Sequence, residues 1–165
     1  MVKADPRIRA SEADLTVQIE LATRLTDTLA LTYDSFLSLK EWRAGVAARG
    51  KALANSKAAK DVTDTVQAFD KKVEAVQTGT SAAPGVGIVN RDLARYYSML
   101  TSGDGRPAGR LSASVAESCQ GLTNALVAWR NLNATDVPAV NKVLAKAKQA
   151  PFVPVAVPAT PSCTP

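Results

Sequence analysis

Between Val62 and Val76 five apolar residues, Val62, Val66, Phe69, Val73 and Val76, recur at intervals of four, three, four and three. That spacing returns every side chain to one face of an α-helix and leaves the polar residues on the other, which is the pattern of a bundle seam. Valine favours strands by propensity, but a half-buried strand alternates every second residue, and the intervening polar residues break any such alternation. A chain that carries this seam must supply further helices to cover it.

The same periodicity runs through most of the chain. Ser11 and Asp14 form an S-x-x-D capping box with Glu12 also in the first turn, and Leu15, Ile19, Ala22, Leu25, Leu29, Tyr33, Phe36 and Leu39 continue at helical spacing. A long first helix is predicted, ending near Gly50 to Ala54 and weakest at Gly45, with a second starting at Ser56. Thr78 to Gly87, rich in small residues, reads as a loop. Val89, Leu93, Tyr96 and Leu100 predict a third, shorter helix that stops at the sequence SGDGRP. Leu111, Val115, Cys119, Leu122, Leu126, Trp129 and Leu132 predict a fourth, with Pro107 suited to its first turn. Thr135, Asp136 and Pro138 look like a fresh capped start for a short fifth helix reaching about Lys148, with Val140 and Leu144 buried. The fold class expected is all-α: an antiparallel bundle of four principal helices plus a short fifth over residues 11–150. Residues 151–165 hold five prolines and should be an extended tail, lying along the bundle or loose.

A chain of 165 residues can bury about 70% of the surface its unfolded form exposes, so no staples are required. Hydrophobic residues make up 46% and aromatics only 5%, which makes the core mainly aliphatic. No apolar run approaches the roughly 18 residues of a membrane span, and the first residues lack the apolar stretch of a signal peptide.

Histidine is absent, which removes Ser-His-Asp and Cys-His nucleophile systems, HExxH zinc sites and the Glu-x-x-His pairs of di-iron bundles. No catalytic residue, cofactor or metal ligand is therefore assigned, and the chain reads as a non-enzyme. Glu20, Asp27 and Asp34 recur every seven residues on one face of the first helix and could do acid–base work, although a solvated face is the simpler reading. Cys119 falls on the apolar stripe of the fourth helix, where a free thiol packs as a small hydrophobe; a disulfide to Cys163 is the lesser alternative. Trp42, Tyr96 and Tyr97 could stack on bases or sugars, but Tyr96 better fills the core with Tyr97 at its margin. Gly85-Val86-Gly87 lacks the rest of a phosphate loop, and Ser102 to Gly105 begins like an Asp-box but continues with Arg106, so both read as turns.

The net charge is +5, and Lys40, Arg43, Arg49, Lys51, Lys57 and Lys60 face a single acid, Glu41, over that interval. This is the candidate interaction patch, able in principle to meet an anionic polymer; the simpler reading is that long basic side chains solvate the end of a helix and favour its negative pole.

Three stretches together resemble the C-terminal helical domain of bacterial sortilin-like BNR/Asp-box repeat proteins, often labelled glycosyl hydrolases. VKADPRI followed by SEADL resembles the junction where the last strand of a sandwich runs into that domain, NRDLARYYSMLTSGDGRP its third helix and turn, and WRNLNATDVPAVNKVL its closing helix. The resemblance covers about residues 3–150 and implies that residues 1–10 end a preceding strand or linker. It implies a non-catalytic accessory domain adjoining a β-propeller or sandwich, in which any catalysis would reside, and an extracytoplasmic setting. Because Met1 falls where that strand should already be under way, the chain is expected to be a C-terminal fragment or a separately read frame. The alternative is a free-standing basic helical module that binds an anionic polymer or a protein.

Overall fold

The computed structural model describes residues 10–56 and 60–161. Its helices are α1 (Glu12–Ala54), α2 (Lys60–Gln77), α3 (Val86–Leu100), α4 (Gly109–Asn131) and α5 (Val137–Lys146). Among the described residues the expected all-α bundle of four principal helices and a short fifth is what forms.

The capping box at the start of α1 is present in both directions. The Asp14 backbone N–H donates to Ser11 Oγ at 3.1 Å, and the Ser11 backbone N–H donates to the Asp14 carboxylate at 3.2 Å. From there α1 runs for 43 residues, about 65 Å at the usual helical rise. Neither α2 nor α3 is long enough to cover it alone, so they divide it. Trp42 and Arg43 meet Phe69 and Asp70 on α2, and Gly50 lies under Val66. Closer to the N-terminus of α1, Phe36 packs at Gly87, Thr32 bonds Asn90, and Gln18 bonds the carbonyl of Leu100. Both series run antiparallel to α1, so α2 and α3 follow one another in the same direction.

The step between them is made by a tight turn. Gly79 pairs with Pro84, Gly85 N–H donates to Thr78 O at 3.1 Å, and Gly79 has φ +70 with no room for a Cβ against the Gly85 backbone. Helix α3 starts at Val86, so Gly87, expected in the loop, is helical; a Cβ there would sit 3.0 Å from the Phe36 ring, which keeps α1 and α3 close.

Helix α4 returns antiparallel to α3, with Gly121 beside Val89. It starts at Gly109 after an extended Ala108, two residues later than Pro107 would suggest. The fresh cap expected at Thr135 and Asp136 does not form. Instead the helix continues into α5 through a π-helical turn, Leu132–Asp136, closed by a bond from Val137 N–H to Leu132 O. The helix widens just before Pro138, where an α-turn would press a carbonyl into the proline ring. Thus α4 and α5 act as one continuous rod along α3 and α2.

One core links these elements. Val62, Val66, Phe69, Val73 and Val76 are all buried, as are Leu122, Leu126, Trp129, Val140 and Leu144. On α1 the predicted stripe is only partly correct. Leu25 and Leu39 are buried, but Ile19 is 65% exposed and Tyr33 56%, while Thr32 and Ser35 lie inside. Apolar residues occur around most of α1, so spacing alone admits more than one inward face, and apolar periodicity carries no signal for a buried threonine. Thr32 is accommodated because its hydroxyl donates to Leu29 O and accepts from Asn90 Nδ2.

Truncating Phe69 to Ala should cost about 3–5 kcal/mol in urea unfolding, since the ring is buried between Trp42 and Phe152. Tyr33→Ala should change stability by no more than about 0.5 kcal/mol, because that ring faces solvent. Equal costs for the two would show that the inward face of α1 has been misassigned.

Candidate functional site

Among the described residues the candidate cations of the basic cluster are not all open. Arg43 on α1 bridges Asp70 at 3.3 Å and Glu74 at 2.8 Å on α2, tying the two helices together. Arg49 donates to the carbonyl of Ala150 at 2.6 Å and lies 5.2 Å from the centre of the Phe152 ring. Lys60 pairs with Asp64 one turn along α2. Lys57 lies outside the described residues. Lys40 and Lys51 are exposed on α1. Two of the six candidate cations, Arg43 and Arg49, therefore fasten helix or tail, a use that sequence spacing could not reveal because their partners are distant in the chain, whereas the Lys60 pair is an exposed contact within α2 itself.

The carboxylates Glu20, Asp27 and Asp34 are all exposed on α1, and none takes part in an ion pair among the described residues. Asp14 is different. Its carboxyl is held below its ordinary value of 3.8 by hydrogen bonds from the Ser11 hydroxyl and backbone, with the nearby Arg106 guanidinium adding to the effect.

The tail is the feature that sequence reasoning left open. Residues 151–161 lie along the bundle, held by side-chain amides that read its backbone. Asn141 on α5 accepts the Phe152 N–H at 2.7 Å and donates to the Phe152 carbonyl at 2.9 Å. Asn133, in the π turn, donates to Val155 O at 2.7 Å, and Arg130 donates to Thr160 Oγ1 at 2.7 Å. Extended proline-rich backbone has no internal hydrogen bonds, so its carbonyls and its few N–H groups are free for such capture. The Phe152 ring stacks on Phe69 at 5.5 Å, which in turn meets Trp42 edge-on at 5.6 Å. Trp42 is thus a packing residue, not an open stacking platform; Tyr96 is half-buried and Tyr97 lies at the surface.

Between α1 and the tail is a cleft of about 480 Å³, lined by Ser38, Glu41, Trp42 and Arg49 on one side and Phe152 and Pro154 on the other. Its chemistry is limited. The Ser38 hydroxyl donates to Asp34 O, Arg49 is held by Ala150, and the cleft presents mainly an aromatic and proline wall. A second hollow surrounds the turn after α3, where Gln18 donates to Leu100 O and Gly103 O and accepts Gly105 N–H; this pins the SGDGRP turn, as its sequence predicted a turn.

Cys119 requires a correction. It is buried, as expected, but it is disulfide-bonded and not a free thiol. Separation along the chain misled, because the tail retraces α5 and α4 towards Cys119, as the successive contacts of Asn141, Asn133 and Arg130 show. Cys163 lies outside the described residues. Among the described residues no group of Cys, Asp and Glu side chains could hold a metal ion, and no helix is long and apolar enough to cross a membrane.

Comparison with protein-family models, curated proteins and solved structures found no match.

Replacing Asn141 with Leu removes both bonds to Phe152 and should cost about 1–3 kcal/mol. Amide exchange at Phe152 should speed up well before any change in α2; unchanged exchange there would show that the amide pair does not hold the tail. Acid should act at the other end of the molecule. Because the folded-state value of Asp14 is depressed, its contribution is complete above pH 3.8 and lost as pH falls through the lower folded value. Amides of the first turn of α1 should lose protection in that acid range, and Asp14→Asn should remove the pH dependence.

Proposed function

We propose that this chain is a non-catalytic accessory domain that extends or packs against another protein unit. What carries the reading is the use of its inward polar side chains. Gln18 holds the turn after α3, Asn90 holds α3 to α1, Asn133 and Asn141 hold the tail, and Arg43 holds α2. Each makes at least one hydrogen bond or ion pair to a backbone group or a structural partner, as a scaffold requires.

The finer identity, a C-terminal domain of a sortilin-like BNR-repeat, glycosyl hydrolase-like protein adjoining a β-propeller or sandwich, rests on the resemblance of the three stretches at Val2, Asn90 and Trp129. Any catalysis would then belong to the adjoining domain. The disulfide at Cys119 supports an extracytoplasmic setting, because such bonds persist in oxidising compartments. The alternative, a basic module for an anionic polymer, is favoured by the exposure of Lys40 and Lys51.

The coding sequence upstream of Met1 tests the finer reading. It should encode a β-rich sandwich and Asp-box repeats, and a chain extended to include them should show slower amide exchange from Ser11 to Leu15 than the 165-residue chain. A non-coding upstream region, or unchanged exchange in the extended chain, contradicts it. Heparin or DNA binding that falls steeply with salt, by a slope near −0.9 per phosphate contacted, would favour the alternative.

A further inference from the structure

The side of α1 turned away from α2 and α3 is not an ordinary solvated face. Along it Ile19, Tyr33 and Leu37 are 65%, 56% and 41% exposed, with Thr23, Thr26 and Ala30 completing the same stripe. The stripe is less polar than its composition suggests. Thr23 donates its hydroxyl to Ile19 O and Thr26 to Ala22 O, so both hydroxyls are satisfied by the helix itself. The spacing is a heptad pattern: Ile19, Thr26 and Tyr33 form one row, and Thr23, Ala30 and Leu37 the other, as a partner helix would read them.

One flank of this stripe is uniformly acidic. Glu20, Asp27 and Asp34 each come one residue after the first row and Glu41 follows seven residues later, beside Lys40; all four are exposed and none is in an ion pair among the described residues. In a coiled-coil contact that flanking position meets the charges of the facing helix. Four carboxylates disfavour a polyanion or an acidic lipid surface here. They also disfavour a second copy of the chain. An antiparallel α1–α1 pairing that sets Leu37 against Tyr33 of the second copy brings Asp34 close to its own twin and Asp27 close to Glu41. A parallel pairing sets the acids against the flank of Ala22, Leu29 and Phe36, which packs on the chain's own core.

We propose that the face of α1 from Ile19 to Leu37 is the docking surface for a partner α-helix whose apolar seam is flanked at heptad spacing by lysine or arginine. The apolar rows provide the contact area and the acidic row selects the partner and its register. This goes beyond the accessory-domain reading and uses none of the residues on which that reading rests.

The test uses the full 165-residue chain and a displayed library of 21-residue helices in which seam and flank positions vary among apolar, basic, acidic and neutral residues. Binders enriched on the chain should carry Lys or Arg along the flank. Their affinity should fall at least about 30-fold with Ile19→Glu and Tyr33→Glu together. Replacing Glu20, Asp27, Asp34 and Glu41 by their amides should abolish the preference for basic flanks while the apolar contact persists. All six positions are exposed, so melting and circular dichroism should be unchanged in both variants. Enrichment of neutral or acidic flanks, failure to enrich any binder, or binders indifferent to Ile19→Glu and Tyr33→Glu would overturn the proposal. So would a dimer in light scattering that Tyr33→Glu dissociates, which would make the occupant a second copy. Loss of the accessory-domain reading through the upstream sequence leaves these outcomes unaffected.

Discussion

The length of α1 governs the rest of the architecture. A single helix of 43 residues exposes more inward surface than one following helix can cover, and a helix within a protein owes most of its stability to such cover. The chain solves this by laying α2 and α3 end to end along it, both antiparallel to α1, and by making the step between them with the pinched turn at Gly79 and Pro84. Phe36 sits near that step, against Gly87, and Trp42 lies on the α2 side. The continuous rod of α4 and α5 then has to pass both helices, and the π turn before Pro138 lets it do so without ending.

The tail follows from the same geometry. Phe152 is buried against Phe69 and Arg49, and the backbone around it is captured by Asn141 and Asn133. Proline-rich sequence costs less entropy to fix in an extended form than most, since φ is already restricted. A handful of amide contacts therefore suffices to make it part of the fold.

The regular parts of this fold were legible because they obey one period. The seam from Val62 to Val76 and the stripe from Leu122 to Leu132 are buried as their spacing requires. The capping box at Ser11 was equally readable, since both partners lie within one turn. Where the sequence misled, the deciding partner was remote. Thr32 is inside because Asn90 meets it, Arg43 is structural because Asp70 and Glu74 face it, and Cys119 is bonded because the chain doubles back. The continuity of α4 into α5 was hidden for a different reason: Thr135, Asp136 and Pro138 are locally consistent with a new start, and only packing decides that the helix widens instead. On α1, a helix with apolar residues on opposite sides has no unique inward face by period alone, and that ambiguity is what leaves Ile19, Tyr33 and Leu37 outside.

On this geometry α1 is one cooperative spine stabilised jointly by α2 and α3. Native-state hydrogen exchange as a function of denaturant measures it most directly. Amides near both Leu25 and Val46, which lie under different covering helices, should open with the same free energy, equal to that of global unfolding. Opening of one half of α1 at a distinctly lower free energy, with the other half still protected, would contradict the account by showing two independent helical units in place of a shared spine.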